Sequence, residues 1–235
     1  YDKFMPPRKI WGIFEKDYLD GRPPVKPTSS WTFKDVNSER GSEQFIELGF
    51  DKEVFQRPKP VGTLRRILEV GVIPDEQTTV LDFFAGSCGL AQAAYELNST
   101  NERTINFITV QLPEICEENS CAKRDGYKTI AEISKERIRR AGQKIKEENT
   151  TIAPNLDVGF RVLKVDSSNM EDIYYRPDAV DQDLLGGFSE NIKTDRTPED
   201  LLFQVLLDWG VDLTLPITKE TISSHEVFFV DNNAL

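Results

Sequence analysis

Two carboxylates, Asp82 and Glu114, each follow an apolar stretch, and a turn of small residues lies between them. Residues 79–83 predict a strand, residues 85–89 a tight turn, and residues 90–97 a helix with one apolar side. Such a unit presents backbone N–H groups to a nucleotide-like ligand. A carboxylate there would repel a pyrophosphate, so Asp82 favours a hydroxyl or an ammonium, such as that of a methionine-like tail. The alternative is a connection without a ligand, because a short turn needs glycine for positive φ in any case.

The second acid, Glu114, is the last residue of the segment 103–114. In this segment Ile105, Phe107 and Thr109 alternate with other partly apolar residues. This pattern predicts a largely buried strand, as in a parallel sheet. In nucleotide-binding βαβ units the acid after the second strand binds the ribose hydroxyls, which is the role we expect for Glu114. The alternative is an acid at a helix start, favoured by the helix dipole.

A proline-rich segment precedes the first strand and could form a wall of the same site. Pro58 and Pro60 hold the backbone extended and lead into a helix that Gly71 ends. The apolar face of this helix consists of Leu64, Ile67 and Leu68. The segment places Phe55 and Lys59 on a stiff stretch of chain beside a helix start. The alternative is a rigid linker into a packed helix.

The order of elements predicts an α/β protein, with part of a Rossmann-like sheet followed by a smaller C-terminal α+β region. Residues 1–50 look irregular, residues 129–148 a capped helix, residues 159–165 a strand and residues 197–210 a second capped helix. A basic run is expected on the solvated face of the first capped helix; it comprises Lys135, Arg137, Arg139, Arg140, Lys144 and Lys146. Asp166 could enter a pocket or be structural, and we interpret it as structural.

The charge of the chain is −11 but unevenly distributed: residues 1–75 carry +1 and residues 76–235 carry −12. Nucleic acid would therefore contact the first third, where the candidates are Arg8, Lys9, Arg22 and Lys26. We favour the interpretation of that region as a connecting arm. Three cysteines and one histidine are too few for a paired zinc site, and they suggest free thiols in a reducing, cytoplasmic compartment. From these residues we expect no signal peptide and no membrane-spanning run.

Three motifs carry a resemblance to a known family. In order they are Phe55-x-x-Pro-Lys-Pro60, Leu81-Asp-Phe-Phe-Ala-Gly-Ser87 and Val110-Gln-Leu-Pro-Glu114. They resemble the modification (Mod) subunits of type III restriction–modification systems. These subunits are adenine-N6 DNA methyltransferases of the β arrangement and use S-adenosylmethionine. The resemblance runs from about Trp31 to the end of the chain and includes residues 126–138, 164–169 and 200–203.

The resemblance implies a role for each matching residue. The segment that lines the methionine side of S-adenosylmethionine corresponds to Phe55, Lys59 and Pro60. The turn around the methionine moiety corresponds to Asp82, Phe83, Phe84, Ala85, Gly86 and Ser87. Glu114 corresponds to the acid on the ribose hydroxyls. The partners implied are DNA, a second Mod subunit in a homodimer and the restriction (Res) subunit, with no membrane.

Two departures from the family pattern shape the expectations. Cys88 stands where the family's second glycine would be, and its Cβ could crowd the ligand. The motif that holds the flipped adenine, Asp-Pro-Pro-Tyr, does not occur, so no catalytic residue is assigned and the chain is expected not to methylate DNA alone.

The expected domains are an arm from an absent upstream DNA-recognition part at 1–50, a cofactor-binding half at 51–152 and an assembly region at 153–235. One alternative is a degenerate or truncated copy that acts only in subunit assembly. Another is a Rossmann enzyme that binds NAD, although Gly-x-Gly-x-x-Gly is absent.

Overall fold

A computed structural model describes residues 2–5, 10–13, 26–73, 76–100, 104–171 and 191–234. The chain divides into two units, Tyr1–Gly159 and Phe160–Leu235. The predicted boundaries near residues 50 and 152 stay a proposal. No helix in the described ranges is both long and apolar enough to cross a membrane.

The first unit contains a strand hairpin, five helices and a parallel strand pair among its described residues. The strands are β1 (Asp2–Met5), β2 (Ile10–Ile13), β3 (Gln77–Asp82) and β4 (Thr104–Thr109). The helices are α1 (Ser38–Glu47), α2 (Val61–Gly71), α3 (Gly89–Asn98), α4 (Cys121–Arg124) and α5 (Ile130–Glu148), with a 3-10 turn at Lys34–Val36. This mixture of helices and small sheets is consistent with an α/β methyltransferase.

A β-α-β unit forms the centre of this first unit, as the sequence predicts. β3 pairs in parallel with β4, so that Val80 lies opposite Phe107, and α3 connects them. The apolar side of α3 packs with α2 and with one face of the strand pair. This cluster consists of Val61, Leu68, Val72, Leu90, Ala93, Ala94, Leu97 and Ile105.

The prediction of a largely buried β4 is wrong for the other face of the strand pair. There Leu81 is 50% exposed and Ile108, directly opposite it, is 52% exposed. Parallel strands are ordinarily covered on both faces. The apolar pattern of β4 is that of a doubly covered strand, but the described residues cover only one face.

The prediction that residues 1–50 are irregular is wrong in two places. Residues 2–5 and 10–13 pair with each other as the antiparallel strands β1 and β2. Asn37 caps α1 by accepting a hydrogen bond from the backbone of Glu39 at 3.3 Å. The ring of Phe45 stacks on Phe50 at 4.2 Å between centroids and anchors α1 in a second apolar cluster. Phe45 and Ile46 are the only large apolar residues of this helix, too few to reveal it as a repeating apolar pattern in the sequence.

In the described residues of the second unit, a helix packs against a small antiparallel sheet. The helix is α6 (Pro198–Asp208), and the strands are β5 (Ile217–Ile222), β6 (His225–Val230) and β7 (Asn233–Ala234). Leu202, Leu206 and Val230 form its core.

The predicted strand at residues 159–165 is wrong, because this segment has no strand partner among the described residues. Val165 is fully exposed at its end. The Arg161 guanidinium instead donates hydrogen bonds to the carbonyl oxygens of Leu213 and, at 2.6 Å, of Leu215. A segment with alternating apolar residues forms a β-strand only where a neighbouring strand provides the backbone hydrogen bonds.

Thr197 begins α6 with a capping box. Its hydroxyl accepts from the Asp200 N–H at 3.3 Å, and the Asp200 carboxylate accepts from the Thr197 N–H at 2.8 Å. We expect Thr197→Ala to lower the free energy of unfolding by about 1 kcal/mol, because the first turn loses an acceptor. Urea unfolding measures the change. Asp208→Ala in the last turn is the control, and an unchanged T197A midpoint would contradict the prediction.

Candidate cofactor site

The turn between β3 and α3 is shaped by hydrogen bonds from both strand ends. The Asp82 carboxylate accepts from the Phe84 N–H at 3.0 Å, which closes a local turn. The Ala85 N–H donates to the Val110 carbonyl at 3.2 Å, and the Cys88 N–H to the Ala85 carbonyl at 2.7 Å. One Asp82 oxygen therefore organises the turn, while the carboxylate as a whole stays half-buried and reachable.

Gln111 is brought to the turn, although the sequence analysis did not single it out. Its side-chain oxygen accepts from the Gly86 N–H at 2.8 Å. Its amide nitrogen donates to the Leu112 carbonyl at 3.3 Å. A polar side chain just beyond a strand of a parallel pair is the signal that could have identified it, because the carboxyl ends of both strands share one edge.

Phe55 reaches the same turn from the proline-rich segment. A Cβ on Gly86 would lie 3.5 Å from the Phe55 ring carbon Cζ, and Gly86 itself has a φ of +53°. The Phe45 ring, 6.3 Å away between centroids, supports Phe55 from behind. Pro60 is buried at the start of α2, whereas Lys59 is exposed. The segment thus brings an aromatic ring beside the glycine turn, and its role as a wall of a ligand site stays a prediction.

The side chains of the turn point in two directions. Phe83 and Phe84 are 63% and 90% exposed, so their rings are open to a ligand. Ala85 and Ser87 are buried. The Ser87 hydroxyl accepts a hydrogen bond from Arg137 at 2.6 Å, so its side chain is held in the interior.

Glu114 is exposed beyond the end of β4. Its backbone carbonyl accepts from the Ile130 N–H at 2.9 Å, which ties it to the start of α5. Within the described ranges its carboxylate makes no hydrogen bond or ion pair. Its expected role on ribose stays a prediction.

Asp166 belongs to the second unit and is held by its own neighbours. Its carboxylate accepts from the Ser167 N–H at 2.7 Å and lies 3.5 Å from the Arg196 guanidinium. The hydrogen bond from Ser167 lowers the pKa of this carboxyl, with Arg196 adding to the effect. These contacts are those of a structural carboxylate. Among the phosphate candidates, Lys26 is exposed, whereas Arg8, Lys9 and Arg22 lie outside the described residues.

The prediction of a solvated basic face on α5 is wrong for Arg137, which is 0% exposed. Burial lowers the pKa of this guanidinium to about 10. The neighbouring Arg139 and Arg140 are accessible and pair with Glu136 on the surface. A charge run along a sequence does not reveal which member faces inward, since helical neighbours differ by about 100° in direction.

Cys88 adopts the left-handed conformation, with φ 55° and ψ 42°, where glycine is favoured. Its side chain is 3% exposed, and its Sγ lies 3.6 Å from the Thr109 hydroxyl. Burial raises the pKa of the thiol. The side chain therefore packs in the interior, while the backbone follows the path that a glycine would take.

Two substitutions at position 88 separate backbone strain from packing. We expect Cys88→Gly to change the free energy of unfolding by less than about 1 kcal/mol, since relief of left-handed strain offsets the lost packing. Cys88→Val should cost at least about 2 kcal/mol, because a β-branched residue is poorly compatible with positive φ. Thermal unfolding distinguishes them, and equal stability of the two variants would contradict this account.

The chain matches proteins of known family over the part that contains these motifs. Residues 15–141, more than half of the chain, match the family model for DNA methylases, N6_N4_Mtase. The chain therefore belongs to the DNA methylase family.

Three curated relatives are modification subunits of type III restriction–modification enzymes, which confirms the resemblance predicted from the motifs. The StyLTI Mod subunit of Salmonella typhimurium is 36% identical over 136 residues, 58% of this chain and 20% of that protein. The EcoPI Mod subunit of Escherichia phage P1 is 32% identical over 150 residues, 63% and 22% of the two chains. The EcoP15I Mod subunit of Escherichia coli is 41% identical over 91 residues, 39% and 13%. The matched part spans about a fifth or less of each relative.

Proposed function

We propose that this chain forms the S-adenosylmethionine-binding portion of a site-specific DNA adenine-N6 methyltransferase of a type III restriction–modification system. The observation that carries the proposal is the convergence of three separate sequence motifs on one turn. Asp82 ends the first strand, Gln111 follows the second and accepts from Gly86, and Phe55 lies across from Gly86. The family membership and the Mod relatives support it.

The residues at the turn suit a zwitterionic nucleoside ligand. In the proposed site the free oxygen of Asp82 accepts from the ammonium of the methionine moiety, and the ring of Phe55 packs against its carbon chain. The exposed rings of Phe83 and Phe84 offer flat apolar surface to the adenosine. The Glu114 carboxylate, exposed and without a partner in the described ranges, is free to accept from ribose hydroxyls. Bound S-adenosylmethionine supplies an electrophilic methyl group for an adenine amino nitrogen.

The transfer itself needs groups that this sequence does not contain. Without Asp-Pro-Pro-Tyr, no motif holds a flipped adenine, so we propose that residues 1–235 do not methylate DNA alone. In the complete enzyme, further strands would extend the β3–β4 pair at its edges into a larger Rossmann-like sheet, and helices would cover the open face that carries Leu81 and Ile108. DNA, a second Mod subunit and the Res subunit are the partners proposed for that enzyme.

Thermal unfolding in the presence of ligand tests the proposal. S-adenosylmethionine should raise the unfolding midpoint in a saturable way, because a ligand that binds only the folded state stabilises it. The Asp82→Ala, Glu114→Ala double variant should lose the rise, and NADH should produce none. A rise with NADH instead would favour the NAD-binding alternative, and a rise with neither would contradict the proposal.

The second candidate function is a non-catalytic role in subunit assembly. It is favoured by Leu207 and Trp209 on the second unit, whose side chains are 65% and 68% exposed at the end of α6. Incubation with methyl-labelled S-adenosylmethionine, DNA and a Mod polypeptide that carries Asp-Pro-Pro-Tyr distinguishes the candidates. Methyl incorporation that requires this chain supports the enzyme portion, whereas association without cofactor binding supports the assembly role.

A further inference from the structure

Helix α5 supports the glycine turn from the interior of the first unit. The Ser134 hydroxyl, 3% exposed, lies within hydrogen-bond distance of the Gly86 carbonyl and of the Ile130 carbonyl. One helical turn further on, Arg137 extends beneath the same turn. The backbone that follows Asp82 is therefore fixed by side chains from a helix that no site motif includes.

Arg137 connects both sides of the junction between the turn and α3. Its Nη1 donates to the Ser87 hydroxyl at 2.6 Å, and its Nη2 and Nε donate to the Gln92 side-chain oxygen at 3.1 and 3.4 Å. The fit is close, because a Cβ on Gly89 would lie 3.3 Å from Nη1. A movement of the guanidinium would thus displace the residues that open the helix.

The positive charge of Arg137 has no direct counter-ion in the part of the chain that the structure describes. Its three hydrogen bonds go to a hydroxyl and an amide, and its link to the nearest acid runs through Gln92, whose amide lies 3.3 Å from the Glu96 carboxylate. Burial raises the pKa of Glu96, so that carboxyl is a weakened partner. Burying a charge is costly unless the charge is paired. An apolar side chain would fill the same space without that cost.

An anion on the turn would complete this arrangement. Arg137 lies under the N-terminus of α3, whose dipole already favours negative charge at the turn. The methionine moiety carries a carboxylate as well as the ammonium assigned to Asp82. Building on the proposed function, we propose that Arg137 is a positioning residue that fixes the turn through Ser87 and makes it select ligands with an α-carboxylate.

Decarboxylated S-adenosylmethionine, which lacks only that carboxylate, provides the test. Calorimetry on the full chain should give at least about a tenfold preference for S-adenosylmethionine over the decarboxylated compound. Arg137→Met should erase most of this preference, whereas Arg137→Lys, which keeps the charge, should retain it. Arg139→Met, an exposed neighbour on the same helix, is the matched control and should bind like the original chain.

The outcomes separate this inference from the function on which it rests. If the unsubstituted chain binds neither compound, the proposed function fails. If it binds both equally, or if R137M keeps the full preference, the selection by Arg137 is overturned while cofactor binding stands. If the role of Arg137 were purely structural, R137M would weaken the binding of both compounds alike and leave the ratio of their affinities unchanged. Should R137M fail to fold, Ser87→Ala removes the partner through which Arg137 acts and should reduce the same ratio.

Discussion

Alanine at position 41 should lower the free energy of unfolding of the first unit by at least about 3 kcal/mol. Gly41 lies buried within α1, against the proline-rich segment. An added Cβ would overlap the Pro58 carbonyl oxygen and lie 2.9 Å from the Pro58 carbonyl carbon and 3.0 Å from that of Lys59. These atoms are backbone, so α1 and the Phe55–Pro60 segment would have to separate. This loss of stability is opposite in sign to the gain that a glycine-to-alanine substitution usually gives inside a helix.

Gly71→Ala is the matched control, because a Cβ at that helical position meets nothing within 4 Å. It should be neutral or stabilise by up to about 1 kcal/mol. Urea unfolding followed by circular dichroism gives both values. A G41A chain as stable as G71A would mean that α1 does not pack on the proline segment as described.

Loss of the Asp82 carboxylate should weaken S-adenosylmethionine binding at least about a hundredfold. Asp82→Ala removes two things at once. One is the acceptor of the Phe84 N–H, which shapes the turn, and the other is the negative charge proposed to bind the ammonium. Asp82→Asn keeps an acceptor for the N–H but not the charge, so it should restore stability without restoring binding.

Asp212→Ala controls for the loss of a turn acceptor elsewhere. The Asp212 carboxylate accepts from the Thr214 N–H at 2.8 Å in the second unit, so it has the same local geometry without a proposed ligand. Binding of S-adenosylmethionine to this variant should be unchanged. Equilibrium dialysis with labelled S-adenosylmethionine measures all three variants. If D82A bound S-adenosylmethionine as well as the original chain, Asp82 would not be part of the binding site.

Local patterns in the sequence predicted the elements whose signals are confined to neighbouring residues. The β3–α3–β4 unit and the capped helices α5 and α6 follow from periodicity, caps and glycines that act within a few residues. The same patterns could not show that residues 159–165 lack a strand partner. Nor could they show that one face of β4 stays open, because both features depend on residues distant in the sequence.

The candidate site was predicted in its motifs but not in the side chains that support them. Asp82, Gly86 and Phe55 were identified because their types have direct chemical meaning for a ligand. Gln111 was missed because an amide after a strand is a weak signal on its own. Arg137 was missed because it lies within a basic run, where only packing against Ser87 and Gln92 distinguishes it from its accessible neighbours.

The central claim, a cofactor pocket at the β3–α3 turn, is tested most directly by calorimetric titration of the chain with S-adenosylmethionine at two temperatures. The account predicts saturable binding with one ligand per chain, and its loss in the Asp82→Ala, Glu114→Ala variant that remains folded. If the folded, unsubstituted chain binds no S-adenosylmethionine at either temperature, the account of this turn as a methyl-donor site is contradicted.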